Sequence, residues 1–323
     1  MKLIKWKEAY ETKGENQMRA AAFTEFGGPE VLKAMELPEP HAGPGQVRVR
    51  VMAAGVQHFD CSIRSGWTPS YGVTVSFPQI PGNEFAGIVD EVGDGVTSFP
   101  VGSEVLGFSI LNSYAEYVVV GADQIAPKPR SMSWEAAGGL TGNGQGAHIA
   151  LKAIGVGPGD TVLINGAAGS LGSIAVQLAR EWGAGKVIGT GSEYNHDYIR
   201  SLGAEPITYE AGLADRLRRL APDGIDCAFD TAGGEGLEAA VELVADKSRI
   251  CTFYAYDRIE ELGLRIVRGE RTAARLAELA DLHVQGKLSL HIRQVFPLER
   301  AADAHRAIES RHGRGKIVLK VNG

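Results

Sequence analysis

A chain of 323 residues is too long for one ordinary hydrophobic core and fits two domains of roughly 150 residues each. Hydrophobic residues make up 44% and charged residues 22%, which is typical of a soluble globular protein. A net charge of −6 without a basic block argues against nucleic acid as a partner, and no stretch reaches the ~18 consecutive apolar residues of a membrane span.

The amino terminus and the cysteines bear on the compartment. Residues 1–17 contain no apolar core or cleavage site of a secretory signal, and Met18 offers a second start, so we interpret 1–17 as an N-terminal extension or tag. The three cysteines, Cys61, Cys227 and Cys251, are odd in number and widely spaced. This pattern disfavours disulfides and favours a reducing, cytoplasmic location.

The first domain, residues 18–140, shows the pattern of a β domain. Short β-rich runs alternate with glycine and proline, and the run QVRVRVMAAGV alternates apolar and polar residues with period two. The runs FAGIVDEVG, SEVLGF and YAEYVVV continue this pattern. We therefore predict a compact, mostly antiparallel, barrel-like substrate domain.

Residues 141–285 change to alternating strands and helices. The runs TVLING, KVIGTG, EPITY, IDCAFDTAG and SRICTFYA are separated by segments of helical length and period. This alternation predicts an α/β domain with a doubly wound parallel sheet, a Rossmann unit. Residues 286–323 return to strand and turn, so the Rossmann unit is predicted to be inserted in the β domain.

The segment NGAAGSLG, residues 165–172, has the layout of a dinucleotide-binding turn. Ala167 stands at the first glycine place of the fingerprint, and Gly169 and Gly172 fill the second and third. A missing side chain at Gly169 lets the backbone approach a pyrophosphate at the start of the following helix. The predicted cofactor-binding residues here are Ala168, Gly169, Ser170, Leu171 and, on the next strand, Gly189.

The end of the second strand bears on the choice of cofactor. NAD-binding turns usually carry an acidic residue here, whereas this chain has Thr190-Gly191-Ser192. Ser192 and Asn195 can donate hydrogen bonds to a 2′-phosphate, which favours NADP(H). Glu193 and the absence of Lys or Arg in the turn count against this preference.

Four further residues follow predicted strands of the parallel sheet. Tyr209 can stack on the adenine or touch its ribose phosphate, or it can be an ordinary surface tyrosine. Phe253, Tyr254 and Ala255 follow the last strand at its carboxyl end, where parallel sheets bind ligands. For these three, contact with the nicotinamide ribose is favoured over simple core packing.

Three segments resemble the medium-chain dehydrogenases/reductases. AAGVQHFDCSIRSG resembles their substrate-side motif, IPGNEFAGIVDEVGDGVTSFPVGSEVLGF their glycine-rich segment, and HRAIESRHGRGKIVLKV their C-terminal end. The resemblance covers roughly residues 18–323. It implies a GroES-like β-barrel catalytic domain with an inserted Rossmann NADP-binding domain, and a homodimer paired through the sheet edge near SRICTFYA.

Members of this family that contain zinc bind the metal with a cysteine, the histidine of a Gly-His-Glu triplet and a second cysteine. At the matching places this chain has Gln57, Asn83 and no Cys in AAGGLTGNGQG. Zinc requires nitrogen and sulfur ligands in near-tetrahedral number, so no metal site is expected. The neighbouring His58 and Asp60 are interpreted as a polar pair without metal.

Zinc-free members resemble quinone oxidoreductases and related enone or enoyl reductases. That subgroup often has asparagine, tyrosine and threonine where this chain has Gln57, Ser62 and Gly146. The resemblance implies that these residues face the nicotinamide end of a widened cleft. The candidate catalytic residues are Gln57, Ser62 and Asp60; for Asp60 the alternative is a structural cap, with Arg64 as its ion-pair partner.

The sequence therefore predicts an NADPH-dependent, zinc-free oxidoreductase that transfers hydride to a small-molecule acceptor of the quinone type. One alternative is a reductase of the C=C bond of an enone or enoyl thioester. Another is a non-enzymatic NADP-binding relative, which the altered residues at the cleft keep open.

Overall fold

The computed structural model describes residues 16–67, 73–310 and 313–322. The proposed N-terminal extension lies outside these residues except for Asn16 and Gln17, and Gln17 already begins the first strand. Within the described part of the chain, no helix is both long and apolar enough to cross a membrane.

The β domain consists of strands from both ends of the chain. These strands are β1 (Gln17–Ala22), β2 (Lys33–Pro38), β3 (Gln46–Val56), β4 (Glu84–Val92), β5 (Glu104–Phe108), β6 (Tyr117–Gly121), β7 (Ile125–Pro127), β13 (Ile292–Pro297) and β14 (Lys316–Lys320). β1 pairs with β2, and the others form a sheet in the order β13-β14-β3-β4-β5-β7, with β6 on β3. All pairs are antiparallel except β13–β14. The predicted β domain is confirmed.

The central strand β3 shows why its sequence forms a sheet. Val47, Val49 and Val51 are buried, whereas the intervening Arg48 and Arg50 are only half-buried. Successive side chains of a strand point to opposite faces, so this alternation puts the three valines in the core. Two helices accompany the β domain, α1 (His58–Arg64) directly after β3 and α8 (Ala301–Glu309) before β14.

The second domain is the predicted parallel sheet. Its strands are β8 (Thr161–Asn165), β9 (Lys186–Thr190), β10 (Glu205–Ile207), β11 (Cys227–Asp230) and β12 (Ile250–Thr252), all parallel in the order β10-β9-β8-β11-β12. The helices are α3 (Ser170–Glu181), α4 (His196–Ser201), α5 (Leu213–Leu220), α6 (Gly234–Leu243) and α7 (Ala273–Val284). The strand order reverses between β8 and β11, and open parallel sheets bind ligands at such a point, outside the strand ends.

A buried polar network fixes the carboxyl ends of four of these strands. Asp230 of β11 accepts hydrogen bonds from Asn165 Nδ2 (2.6 Å) and Thr252 Oγ1 (2.6 Å), and Thr190 Oγ1 donates to Asn165 Oδ1 (2.5 Å). One side chain from each of β8, β9, β11 and β12 therefore takes part. Such a network is stabilising only when its members are satisfied, and here it holds the strand ends in one arrangement.

Helix α2 (Trp134–Ala153) joins the two domains and packs on both. It lies against β3 and β4 of one sheet and against α3 and α7 of the other domain. A Cβ at Gly138 would lie 2.7 Å from the carbonyl oxygen of Ala53, so the missing side chain lets the helix approach β3 closely. The predicted boundary between residues 140 and 141 falls inside this helix.

We predict that Gly138→Ala destabilises the protein by about 1–3 kcal/mol, because the new methyl group would meet the backbone of β3. Gly146→Ala in the same helix is the control, since its Cβ would lie 3.4 Å or more from other atoms. It should be neutral or gain up to ~1 kcal/mol from helix propensity. Urea unfolding of both variants measures this; equal effects would contradict the close approach.

Candidate active site

The glycine-rich turn between β8 and α3 has the shape expected of a phosphate site. A Cβ at Gly172 would lie 2.2 Å from the carbonyl oxygen of Gly166, so the fold itself requires glycine there. A Cβ at Gly169, the N-cap of α3, would contact only Gly166 oxygen, at 3.4 Å. The first backbone N–H groups of a helix lack partners within the helix and attract anions. Gly169 thus leaves open space where an anion can bind.

Other segments fix this turn from both sides. Ser170 Oγ accepts a hydrogen bond from Asn143 Nδ2 of α2 (2.6 Å), and the carbonyl oxygen of Ala168 accepts one from the amide of Gly315 (3.2 Å). Leu171 is half-buried against the core of the second domain, the one with the parallel sheet, which we call the nucleotide domain. The turn is therefore held by α2 and by the C-terminal segment as well as by its own helix.

Gly189 in β9 and Gly191 just after it lie where a side chain would point into the protein. A Cβ at Gly189 would lie 2.6 Å from Ala167 Cβ, and one at Gly191 would lie 2.5 Å from Ile199 Cδ1. A side chain at 191 would thus enter the core under α4, so a carboxylate facing a ribose would have to stand at Ser192. Cofactor contacts of Gly189 stay a prediction.

Ser192 and Asn195 form a small polar unit after β9. Asn195 Nδ2 donates to Ser192 Oγ (3.1 Å), which leaves the hydroxyl hydrogen of Ser192 available for another acceptor. Asn195 Oδ1 is buried and has no hydrogen-bond partner among the residues that the structure describes. The pair can donate to an anion mainly through Ser192.

The tertiary structure places a cation beside this turn that the local sequence lacks. The guanidinium carbon of Arg314, just before β14, lies 5.3 Å and 5.2 Å from the ring centroids of Tyr194 and Tyr198. Sequence reasoning missed Arg314 because it is more than 100 positions away, in the segment GRGK.

The remaining predicted cofactor residues occupy different environments. Tyr209 is 55% exposed, and Tyr254 is 46% exposed. Phe253 packs edge-on against Phe229 at 5.2 Å, and Ala255 is buried with its amide bonded to Thr252 Oγ1. Their contacts with a cofactor stay predictions.

Gly146 brings two of the predicted segments together. A Cβ there would lie 3.4 Å from the Phe253 ring and 3.6 Å from Leu171. Gly146, which stands where the resembling family often has threonine, therefore lies between the glycine-rich turn and the loop after β12.

Gln57, which the sequence predicts to lie on the substrate side, is held by a buried ion pair. Gln57 Nε2 donates to Glu84 Oε1 (2.8 Å), the amide of Gly142 donates to Glu84 Oε2 (2.7 Å), and Lys316 Nζ lies 2.5 Å from Glu84 Oε1. The side chains of Glu84 and Lys316 are 0% and 1% exposed. Sequence reasoning missed both, although a carboxylate in the apolar run NEFAGIV and a lysine in GKIVLKV were available signals.

Asp60 is fully buried next to this cluster. Its Oδ2 accepts hydrogen bonds from the backbone amide of Gln57 (2.9 Å) and from the hydroxyl of Tyr114 (2.9 Å). Burial raises the pKa of Asp60 to about 7, against the opposing effects of these hydrogen bonds and of Lys316. Asp60 therefore changes its protonation near neutral pH.

The expected pairing of Asp60 with Arg64 is wrong. Arg64 turns the other way, with Nη2 2.6 Å from Glu309 Oε1 and Nη1 3.0 Å from His305 Nδ1 of α8. Asp60 instead caps the start of α1 through the amide of Gln57. The two charged ends of this short helix thus bind different neighbours.

Ser62 lies half-buried on α1. Its hydroxyl donates to the backbone carbonyl of His58 at 3.0 Å, one turn earlier in the helix. A proton-transfer role for Ser62 needs this hydrogen bond to be exchanged and stays a prediction.

The residues at the family's zinc position do not fit the metal. Gln57 donates its amide to Glu84, and Asn83 offers only a neutral amide. Across residues 16–67, 73–310 and 313–322 there is no group of three or more His, Cys, Asp or Glu side chains that could hold a metal ion. The three cysteines are free and buried, and burial raises the pKa of Cys227 to about 12, which disfavours a thiolate ligand.

Comparisons with known families cover both domains. Residues 43–130 match the family described as alcohol dehydrogenase GroES-like domain. Residues 202–319 match the family described as zinc-binding dehydrogenase.

Similar proteins align over nearly the whole chain. The quinone oxidoreductase of Mus musculus is 30% identical over 338 residues, covering 95% of this chain and 98% of the relative. The synaptic vesicle membrane protein VAT-1 homolog of Homo sapiens is 28% identical, covering 94% of this chain and 86% of the relative.

Solved structures show the same architecture. The quinone oxidoreductase from Coxiella burnetii has a TM-score of 0.84 at 31% identity, covering 95% of this chain and 100% of that chain. A mycobacterial protein complexed with NADPH has a TM-score of 0.83 at 29% identity, with coverage of 94% and 100%.

We predict that Glu84→Gln destabilises the protein by about 3–5 kcal/mol, because it removes the charged group that is paired with the buried Lys316 ammonium. Adding Lys316→Met should recover part of this loss. The exposed pair Arg200–Asp197 provides a control, since Asp197→Asn should cost less than ~1 kcal/mol. Chemical denaturation measures all three; a double variant no more stable than Glu84→Gln would contradict the buried pair.

We predict a pH dependence of stability that Asp60→Asn removes. The pKa of Asp60 is raised in the folded protein from 3.8 to about 7, so the folded state keeps a proton that the unfolded state releases. Its contribution to stability is therefore full below about pH 4 and is lost as pH rises to about 7. A pKa difference of about 3 corresponds to at most about 4 kcal/mol.

Asparagine imitates the protonated carboxyl and can still accept from Gln57 and Tyr114. The difference in unfolding free energy between wild type and Asp60→Asn, measured from pH 4 to pH 8, should change with pH in the stated direction. Parallel profiles would show that Asp60 does not titrate in this range.

Proposed function

This chain is an oxidoreductase of the medium-chain dehydrogenase/reductase family, related to quinone oxidoreductases, and we propose that it reduces a quinone-type acceptor with NADPH and without zinc. One observation carries the proposal. On α2, Gly142 faces Gln57 and Gly146 faces Phe253, one helical turn apart. This arrangement supports a cleft in which the acceptor and the nicotinamide would lie along one face of α2.

The residues of the nucleotide domain fit a dinucleotide. The open turn at Gly169 and the start of α3 would hold the pyrophosphate, Ser192 and Asn195 would face the adenine ribose, and Phe253 would lie towards the nicotinamide. When bound, NADPH supplies a hydride to the acceptor. The preference over NADH is supported by the missing carboxylate at 190–192 and by a structural neighbour complexed with NADPH.

The acceptor side supports chemistry without a Lewis acid. Electron-poor quinones accept hydride directly, so the protein needs to supply only orientation and a site shielded from water. Gln57, fixed by Glu84, is our candidate for contacting the acceptor. Asp60 and Ser62 are our candidates for supplying the proton to the acceptor. For Asp60, burial raises the pKa to about 7, and the carboxyl accepts a hydrogen bond from the backbone of Gln57.

A second candidate function is reduction of a conjugated C=C bond in an enone or enoyl thioester. The space at Gly146, where a Cβ would have room, favours a bulkier acceptor than a threonine would admit. If the wild-type protein binds NADPH but reduces none of these acceptors, it is a non-enzymatic NADP-binding relative of the reductases.

We also propose a homodimer that pairs through β12 in a reducing cytoplasm. β12 is an edge strand that pairs with β11, and the carbonyl oxygen of Ile250 in β12 also accepts a hydrogen bond from the amide of Arg265 (2.8 Å). The three buried, free cysteines suit a reducing compartment.

We predict NADPH oxidation with quinones at a rate that chelators leave unchanged and with no stoichiometric zinc by elemental analysis. Quinones, enones and enoyl thioesters should be compared in one steady-state panel. Faster turnover of enoyl thioesters would favour the second function, and tight NADPH binding without any turnover would favour the binding protein.

The variant Gly169→Val tests whether the glycine-rich turn binds the cofactor used in this assay. The branched side chain would fill the open space at the turn, so the dissociation constant of NADPH should rise by about tenfold or more while thermal stability stays near wild type. Fluorescence titration and thermal unfolding measure the two effects. Unchanged NADPH binding would show that the turn does not hold the cofactor.

A further inference from the structure

Arg314 is presented by a backbone that is pinned on both sides. Gly315 forms a β-bridge with Gly169 of the phosphate turn, and the amide of Lys316 donates to His291 oxygen (2.8 Å). Gly315 has φ = +79°, and a Cβ there would lie 2.2 Å from His291 oxygen, so only glycine fits. The segment that carries Arg314 therefore has one fixed position relative to the turn.

The side chain of Arg314 extends from the segment beside the glycine-rich turn towards the loop after β9. Its guanidinium contacts the rings of Tyr194 and Tyr198, with the carbon 5.3 Å and 5.2 Å from their centroids. Tyr194 lies between Ser192 and Asn195 in the chain. The cation thus lies beside the polar unit that faces the adenine ribose.

Within the described ranges of the chain, Arg314 makes no hydrogen bond and no ion pair, although it is half-buried. Arg200 on the same helix as Tyr198 is instead paired with Asp197 at 2.7 Å. An arginine with five donors that is held by two aromatic rings, and that has no acceptor among the described residues, is suited to a planar or tetrahedral oxyanion.

We propose that Arg314 binds the 2′-phosphate of NADPH and is the residue that sets the preference of this chain for NADPH over NADH. The proposal rests on the NADPH function proposed above. Ser192 contributes its hydroxyl hydrogen, and Arg314 contributes the positive charge that the β9–α4 turn lacks. The rings of Tyr194 and Tyr198 hold the guanidinium in place, which reduces the entropy lost on binding.

Two adenosine ligands that differ only in this phosphate test the proposal. Binding of adenosine 2′,5′-bisphosphate and of adenosine 5′-monophosphate is measured by calorimetry for wild type, Arg314→Gln, Arg314→Lys and the control Arg200→Gln. Arg314→Gln should weaken the bisphosphate by about tenfold or more and leave the monophosphate within about twofold. Arg314→Lys should lose less, because it keeps the charge, and Arg200→Gln should behave as wild type.

Equal losses for both ligands in Arg314→Gln would overturn the proposal, since they would assign the side chain to the 5′-phosphate side. Unchanged binding of both would overturn it as well. If wild type prefers the bisphosphate and Arg314→Gln keeps that preference, only the role of Arg314 fails. A wild type that binds both ligands equally contradicts the NADPH preference itself and, with it, this role; because no acceptor is involved, these results are independent of the quinone assay.

Discussion

The carboxylate of Glu84 lies fully buried and contacts three other segments of the chain: the side chain of Gln57, the backbone of α2 at Gly142 and the ammonium of Lys316. Each of these partners comes from a different element, at the start of α1, inside α2 and at the start of β14. Removing one partner of a buried ion pair leaves an uncompensated charge, so these elements are tied to one arrangement. The part of the molecule that we propose to face the acceptor is thus held together by a buried charge pair.

Helix α2 transmits that arrangement to the nucleotide domain. Gly138 and Gly142 let it lie against β3 and Gln57, and Gly146 lets it lie near Phe253. Glycine inside a helix costs roughly 1 kcal/mol of helix stability, which tertiary packing must offset. The same positions that weaken the isolated helix thus allow it to pack closely on both domains.

The strand ends of the parallel sheet depend on a second buried carboxylate, Asp230. It joins the strand ends of β8 and β12 through Asn165 and Thr252, while Thr190 extends the network to β9. The loops that follow these strands carry the predicted cofactor residues. The position of the loops is therefore fixed by hydrogen bonds made below them, at the ends of the strands.

Local patterns in the sequence were sufficient for the β domain, the parallel sheet and the glycine-rich turn, because period-two alternation, strand–helix alternation and glycine spacing are properties of neighbouring residues. The partners of Glu84, the direction of Arg64 and the cation at Tyr194 were decided only by the tertiary structure. Charges that meet across the fold leave no periodic signal along the chain. Their pairing depends on burial, which removes water and makes the choice of counter-charge decisive.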